Sequence, residues 1–158
     1  HFTLCIIHIC GTAILGYHIS MPPAEQSKRP VIFLIEDDVF MIELLAQELL
    51  RSGFDAMSFK FGREAIAKFS DVKPNLILLD LLLPDMNGLD VLKEIRSMPG
   101  GAEANVLILS NIAETIDREQ AKRLGAIDYL IKANYSLPDI MAKVKSIVSV
   151  KKEVPVVG

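Results

Sequence analysis

From Val31 onward, short apolar runs alternate five times with stretches whose apolar residues recur at close to 3.6 positions, and this alternation most constrains what the chain can fold into. The apolar runs are predicted as strands at 31–35, 54–59, 76–79, 106–109 and 127–131. The intervening stretches are predicted as helices at 39–51, 63–69, 89–97, 114–124 and 137–150. All the apolar runs except the second are nearly continuous, which suits strands covered on both faces, and such strands belong to parallel sheets. In the first helix Met41, Leu44, Leu45 and Leu49 are expected to share one stripe. Asp38 stands where it would cap that helix, and Ser136 and Asp139 stand where they would start the last one. Gly53 and Gly125 follow the first and fourth helices at the place of a left-handed C-terminal cap. The pattern predicts a doubly wound α/β domain over residues 30–150 with a five-stranded parallel sheet.

A chain of 158 residues has room for one such domain and not for a second of ordinary size. A net charge of -3 without any block of Lys and Arg gives little electrostatic pull toward nucleic acid, so no direct nucleic-acid binding is expected. Residues 1–29 differ from the rest. They hold an almost uncharged apolar run at 2–17, both cysteines (Cys5, Cys10) and all three histidines (His1, His8, His18). The run is short for a membrane span and lacks the basic start of a signal peptide. No second Cys/His cluster exists to complete a metal site with Cys5, His8 and Cys10. The segment is read as an N-terminal extension, non-native or disordered upstream of a natural start at Met21; a short membrane-associating anchor is the alternative. Without it the domain is free of cysteine, which suits a cytoplasmic protein. Residues 151–158 are read as a C-terminal tail too short for an output domain.

Open parallel sheets bind ligands at the carboxyl ends of their strands. The first strand ends in Glu36-Asp37-Asp38, the third in Asp80, the fourth in Ser110-Asn111 and the fifth in Lys132. Each has an ordinary reading by itself: the acids cap helices or are solvated, Ser110 bonds within its loop, and Lys132 is a surface lysine. Their coincidence at four strand ends points elsewhere. Clustered carboxylates repel one another unless a cation sits among them. A few hard oxygen donors suit magnesium, which keeps waters and shares its shell with phosphate. A carboxylate attacking a phosphoryl group needs the charge neutralised and donors for the remaining oxygens, which Ser110 and Lys132 could supply. The set reads as a phosphoryl-transfer site, with Asp80 as acceptor because it ends the central strand.

The acid cluster Glu36-Asp37-Asp38, the segment Asp80-Leu81-Leu82-Leu83-Pro84-Asp85-Met86-Asn87-Gly88, the pair Leu109-Ser110 and the segment Gly125-Ala126-Ile127-Asp128-Tyr129-Leu130-Ile131-Lys132 fall in one order and spacing. Together they resemble the response-regulator receiver domain of two-component signalling, from residue 31 to about residue 150. The resemblance implies a flavodoxin-like (βα)5 fold with strand order 2-1-3-4-5. It implies Mg2+ held by Asp37, Asp80, the backbone carbonyl of Leu82 and, through water, Glu36. The phosphoryl group would come from a sensor histidine kinase or a histidine phosphotransfer protein and be clasped by Ser110 and Lys132. Tyr129 matches the family's switch aromatic, which follows the movement of Ser110; an ordinary half-buried strand residue is the alternative. Pro84 and Gly88 read as the turn into the next helix. Two positions depart from the family pattern. Ala133 stands where a proline usually follows the lysine, so a trans bond or a different loop route is expected there. Asn111 stands where a very small residue is usual, which would narrow access to an aspartyl phosphate and change its lifetime.

The reading is a stand-alone, phosphorylation-controlled switch, with no enzymatic activity beyond self-catalysed, magnesium-dependent phosphoryl acceptance and slow autodephosphorylation. Its output would be contact between an unknown downstream protein and the face made by the fourth helix, fifth strand and fifth helix, as a monomer or a phosphorylation-dependent homodimer. The charges expected on that face, Asp117, Arg118, Lys122 and Asp128, mix both signs and fit a symmetric dimer or a solvated face. One alternative is a pseudo-receiver interaction domain that does not use phosphorylation. Another is a magnesium-dependent phosphatase of the haloacid-dehalogenase type. Such enzymes carry Asp-x-Asp after the first strand and an inserted cap, whereas the first-strand acids here are contiguous and no insertion of that size exists.

Overall fold

The computed structural model of the chain describes residues 29–149; the proposed extension, the start at Met21 and the tail lie outside the described residues. Five βα units follow one another: β1 (Val31–Ile35), α1 (Val39–Arg51), β2 (Asp55–Phe59), α2 (Gly62–Val72), β3 (Leu76–Leu79), α3 (Gly88–Ser97), β4 (Val106–Ser110), α4 (Thr115–Arg123), β5 (Asp128–Ile131) and α5 (Leu137–Ser149). All strand pairs are parallel and the order is β2-β1-β3-β4-β5, as expected. Chain order reverses between β1 and β3, so the crevice at their carboxyl ends is where a ligand site is expected.

The alternation of side chains along each strand explains the continuous apolar runs. Phe33, Ile35, Ile77, Leu79, Val106 and Ile108 face a layer supplied by α2, α3 and α4. Their sequence neighbours Ile32, Leu34, Leu76, Leu78, Leu107 and Leu109 face α1 and α5. Both faces are covered, so no strand interior can be polar. The exception is β2, the edge strand, where Asp55 and Ser58 are exposed and only Phe59 is buried, against Phe33 in an edge-to-face ring contact with centroids 4.8 Å apart.

Helix ends account for the boundary corrections. Asp38 caps α1 through Oδ1, which accepts from the N–H groups of Phe40 at 2.9 Å and Met41 at 3.3 Å. After α1, Gly53 takes φ 88° and donates to Leu50 O, while Phe54 N–H reaches back to Leu49 O. The same pair of bonds follows α4, from Gly125 (φ 77°) to Lys122 O and from Ala126 to Ala121 O. These are Schellman caps. Phe54 therefore belongs to the cap and not to β2, and Ile127, 46% exposed, precedes β5. Within α1, Leu45 and Leu49 are buried but Leu44 is 50% exposed, so the stripe runs without it. Ser136 and Asp139 exchange hydrogen bonds at the start of α5, Oγ to Oδ2 and backbone N–H to Oδ2 at 3.1 Å.

A bond set not foreseen from sequence ties the far side together. The guanidinium of Arg96, on α3, donates to the carbonyls of Leu124 (2.8 Å), Ala104 (2.8 Å), Gly125 (2.7 Å) and Gly101 (2.5 Å). It thereby joins the end of α3, the following loop and the α4–β5 turn. Arg96→Ala is expected to lower stability by about 2 kcal/mol, because charge-assisted bonds are lost but water can reach part of the freed carbonyls. Equilibrium urea unfolding with an unchanged m-value checks it; a variant within about 0.5 kcal/mol of the parent, the usual spread for surface changes, would show that the bonds are idle.

Candidate functional site

Parallel pairing delivers four strand ends to one edge. Glu36 continues β1 by donating its N–H to Phe59 O at 3.0 Å, and Asp80 continues β3 by donating to Ile35 O at 2.9 Å. Ser110 closes β4, and Lys132 follows β5 directly. Their side chains meet where the sequence placed them. Ser110 Oγ donates to Asp80 Oδ1 at 2.6 Å, and Leu82 N–H donates to the same oxygen at 3.2 Å. Lys132 Nζ donates to Asp80 Oδ2 at 2.7 Å and to Glu36 Oε2. The other Glu36 oxygen accepts from Asp38 N–H at 3.2 Å. Glu36, Asp80 and Ser110 are 2%, 6% and 0% exposed, whereas Asp37 is open to solvent.

One oxygen from each of Glu36, Asp37 and Asp80 lies within 4.8 Å of the others. Counted as ionised, three carboxylates face one ammonium, leaving two negative charges in excess. Burial is the largest influence on Glu36 and raises its carboxyl above the usual range; the Asp80 charge adds to this, and Lys132 offsets only part. Burial also disfavours the charged form of Lys132, but its bonds to Asp80 and Glu36 outweigh that and its affinity for the proton is raised. An all-oxygen donor set with two uncompensated charges fits a hard dication and offers nothing to a soft one. Glu36, Asp37 and Asp80 are thus positioned to coordinate a divalent cation, and Mg2+ is the ion such a set suits.

The loop after Asp80 passes very close to the β3 backbone. A Cβ on Gly88 would lie 2.2 Å from Asp80 O, so glycine is required there. Asn87 caps α3 by accepting from Leu89 N–H at 2.8 Å. Lys132 leads into a 3-10 turn, Lys132–Asn134, and the described peptide bonds are all trans, as expected for the bond before Ala133. Asn111 is exposed next to the buried Ser110.

Tyr129 is 8% exposed, and its hydroxyl donates to Ile112 O at 2.7 Å. Ile112 N–H points to Ser110 Oγ at a long 3.5 Å. One residue's backbone thus stands between Ser110 and Tyr129, a link that sequence reasoning missed because main-chain groups leave no mark in the sequence. Of the charges expected on the α4–β5–α5 face, Arg118 lies over the Tyr129 ring at 5.5 Å and Asp128 is paired with Lys143 at 2.5 Å. Asp85 was also missed as a structural residue: its carboxylate accepts from Gly62 N–H (2.9 Å) and Arg63 N–H (3.0 Å) at the start of α2.

Comparison with known proteins agrees with this geometry. The family model described as "Response regulator receiver domain" matches residues 32–145. The chain is 34% identical to the alkaline phosphatase synthesis transcriptional regulatory protein PhoP of Bacillus subtilis, over 73% of this chain and 47% of that protein. It is 35% identical to the transcriptional regulatory protein CpxR homolog of Haemophilus influenzae, over 73% of this chain and 49% of that protein. It spans about half the length of these curated relatives. Among solved structures, the non-phosphorylated HemR receiver domain from Leptospira biflexa superposes with a TM-score of 0.71 at 27% identity, covering 77% of this chain and 95% of that one. No helix among the described residues is long and apolar enough to cross a membrane. The fold, the acid cluster at its switch point and these matches together establish that the chain belongs to the response-regulator receiver-domain family of two-component signalling.

Proposed function

We propose that the chain is a phosphorylation-controlled switch in which Asp80 accepts the phosphoryl group. The observation that carries this reading is the double hold on Asp80: Ser110 on one carboxylate oxygen and Lys132 on the other. Both are donors beside Asp80 that could turn to the oxygens of a group bound to it. The donor would be a phosphohistidine on a sensor kinase or phosphotransfer protein. An Asp80 oxygen forms the new bond to phosphorus, the phosphorus–nitrogen bond breaks, and the imidazole leaves. Asp37, Asp80, the Leu82 carbonyl and, through water, Glu36 would hold Mg2+, which would neutralise charge on the transferring group. Lys132 and Ser110 hold phosphoryl oxygens, and Lys132 then exchanges a carboxylate partner for a phosphoryl one.

Signal output would follow from the movement of Ser110. A Ser110 hydroxyl drawn toward a phosphoryl oxygen loosens Ile112, and the Tyr129 hydroxyl bonded to Ile112 O is free to reorient. Tyr129 is packed under Arg118, so its rotation changes the α4–β5–α5 face and the partners it selects. The site chemistry speaks against a pseudo-receiver, since Ser110 and Lys132 both engage Asp80. The transcriptional role named for the relatives belongs to proteins of which this chain covers about half; the output proposed here is protein contact in the cytoplasm.

The test is mass spectrometry of the intact chain after incubation with acetyl phosphate. One phosphoryl mass is expected with Mg2+ and none after chelation. Equal uptake with and without chelator would remove the cation from the proposal, and no uptake in either would remove phosphorylation by this donor class.

A further inference from the structure

The loop between β3 and α3 is held at two places. At its base Leu82 and Asn87 form an antiparallel bridge, and Gly88 N–H donates to Leu81 O at 2.9 Å. At its tip both oxygens of Asp85 are committed to α2, one to Gly62 N–H and one to Arg63 N–H. Helix α2 has no cap of its own, because Phe61 occupies the N-cap and makes no side-chain bond. Capping alone would be met more simply by Ser, Thr or Asp at residue 61. A cap brought in from 22 residues away does something a local one cannot. It fixes the loop relative to α2.

What the loop carries gives that fixation a purpose. Leu82 N–H donates to Asp80 Oδ1 at 3.2 Å, so the main chain at Leu82 lies against the acid cluster. Leu83 and Met86 lean on the core, but the Leu82 side chain is 60% exposed, so packing does little to hold its backbone. Burial acts to raise the Asp85 carboxyl, yet the N–H groups of Arg63 and Gly62 outweigh it and keep the group below the usual carboxylate range. Asp85 is therefore anionic at neutral pH, the form that accepts both bonds.

We propose that Asp85 is a positioning residue for divalent-cation binding: by clamping the loop tip to α2, it holds the Leu82 main chain where its carbonyl completes the donor set of Glu36, Asp37 and Asp80. This rests on the divalent-cation site read above at Glu36, Asp37, Asp80 and the Leu82 carbonyl. Asp85 itself touches no cation.

The test is calorimetric titration of Mg2+ into the full chain, alongside thermal unfolding without Mg2+. Asp85→Ala is expected to weaken Mg2+ binding about tenfold, the scale usual for losing a partner that orients a ligand, and to lower the melting temperature. Adding a local cap, in the double variant Phe61→Asp with Asp85→Ala, is expected to recover the melting temperature and leave Mg2+ binding weak. Asp85→Asn, which keeps one accepting oxygen, should fall between, and it carries the measurement if Asp85→Ala does not fold. Parental Mg2+ affinity in a folded Asp85 variant, or recovery of affinity together with stability in the double variant, would overturn the proposal and reduce Asp85 to a helix cap. Failure of the underlying reading looks different: the parent would bind no Mg2+, or Asp37→Ala would bind it undiminished.

Discussion

Asp80→Asn is expected to lower phosphoryl uptake from acetyl phosphate by at least about three orders of magnitude, the scale on which removal of a nucleophile acts. The amide is a sterically faithful test. Its oxygen can still accept from Ser110, which is fully buried, and from Leu82 N–H, so neither donor is stranded. Asp80→Ala would strand both and confuse loss of chemistry with loss of packing. The charge changes as well: two carboxylates now face Lys132, and the excess falls from two negative charges to one. Mg2+ binding should weaken with it, so uptake must be measured at saturating Mg2+ to isolate the nucleophile. Intact-mass spectrometry reads the result directly. Uptake by the Asn variant at the parental rate would place the acceptor at another carboxylate, and Asp37, exposed and within 4.8 Å, would be the next one to replace.

That Asp80 could be singled out from sequence reflects what parallel sheets do to strand ends. Once β1, β3, β4 and β5 are read as buried strands, the residues after them converge whatever the helices do between. Glu36, Asp80, Ser110 and Lys132 were therefore legible together. The bounds of α1 were legible because every signal there is local: Asp38 caps its own helix and Gly53 closes it. Where a signal comes from far along the chain, reading fails. The sequence pattern places the start of α2 one residue late, because its cap is Asp85 from another loop. Phe54 and Ile127 read as strand residues because apolar residues after a Schellman glycine look the same in sequence as the first residue of a strand. Arg96 reads as one more helix-surface arginine, since its partners are all main-chain carbonyls. The bond between Lys132 and Glu36 was likewise outside reach: sequence assigned the lysine to a phosphoryl group and the glutamate to a metal, and did not foresee that they hold each other.

That last bond gives the second large effect. Lys132→Ala leaves Glu36 and Asp80, 2% and 6% exposed, as like charges without their shared cation. Removing one partner of a buried ion pair costs about 3–5 kcal/mol when the stranded charge must stay ionised. Glu36 need not stay ionised. Burial already raises its carboxyl, and losing Lys132 removes the two influences that lower it most. Proton uptake relieves part of that cost, so the expected loss at neutral pH is about 2–3 kcal/mol, below the full figure for a stranded charge. The sign of the pH dependence follows. A carboxyl with a raised folded-state pKa binds more protons folded than unfolded, so its contribution is fully present below the ordinary glutamate range and is lost as pH rises through the folded value. The variant should therefore recover stability relative to the parent as pH falls from 7 toward 5. In the parent, Lys132 also has a raised folded-state pKa, so its contribution persists through neutrality and is lost only as pH rises beyond the ordinary lysine range. Saturating Mg2+ should restore part of the variant's stability at pH 7, because a dication bound by Glu36, Asp37 and Asp80 replaces the missing positive charge. Urea unfolding of parent and variant at both pH values, with and without Mg2+, checks all three expectations. A deficit of the same size at pH 5 and pH 7 would mean that Glu36 does not titrate, and that Lys132 contributes by packing its aliphatic stem and not by neutralising the two acids it bridges.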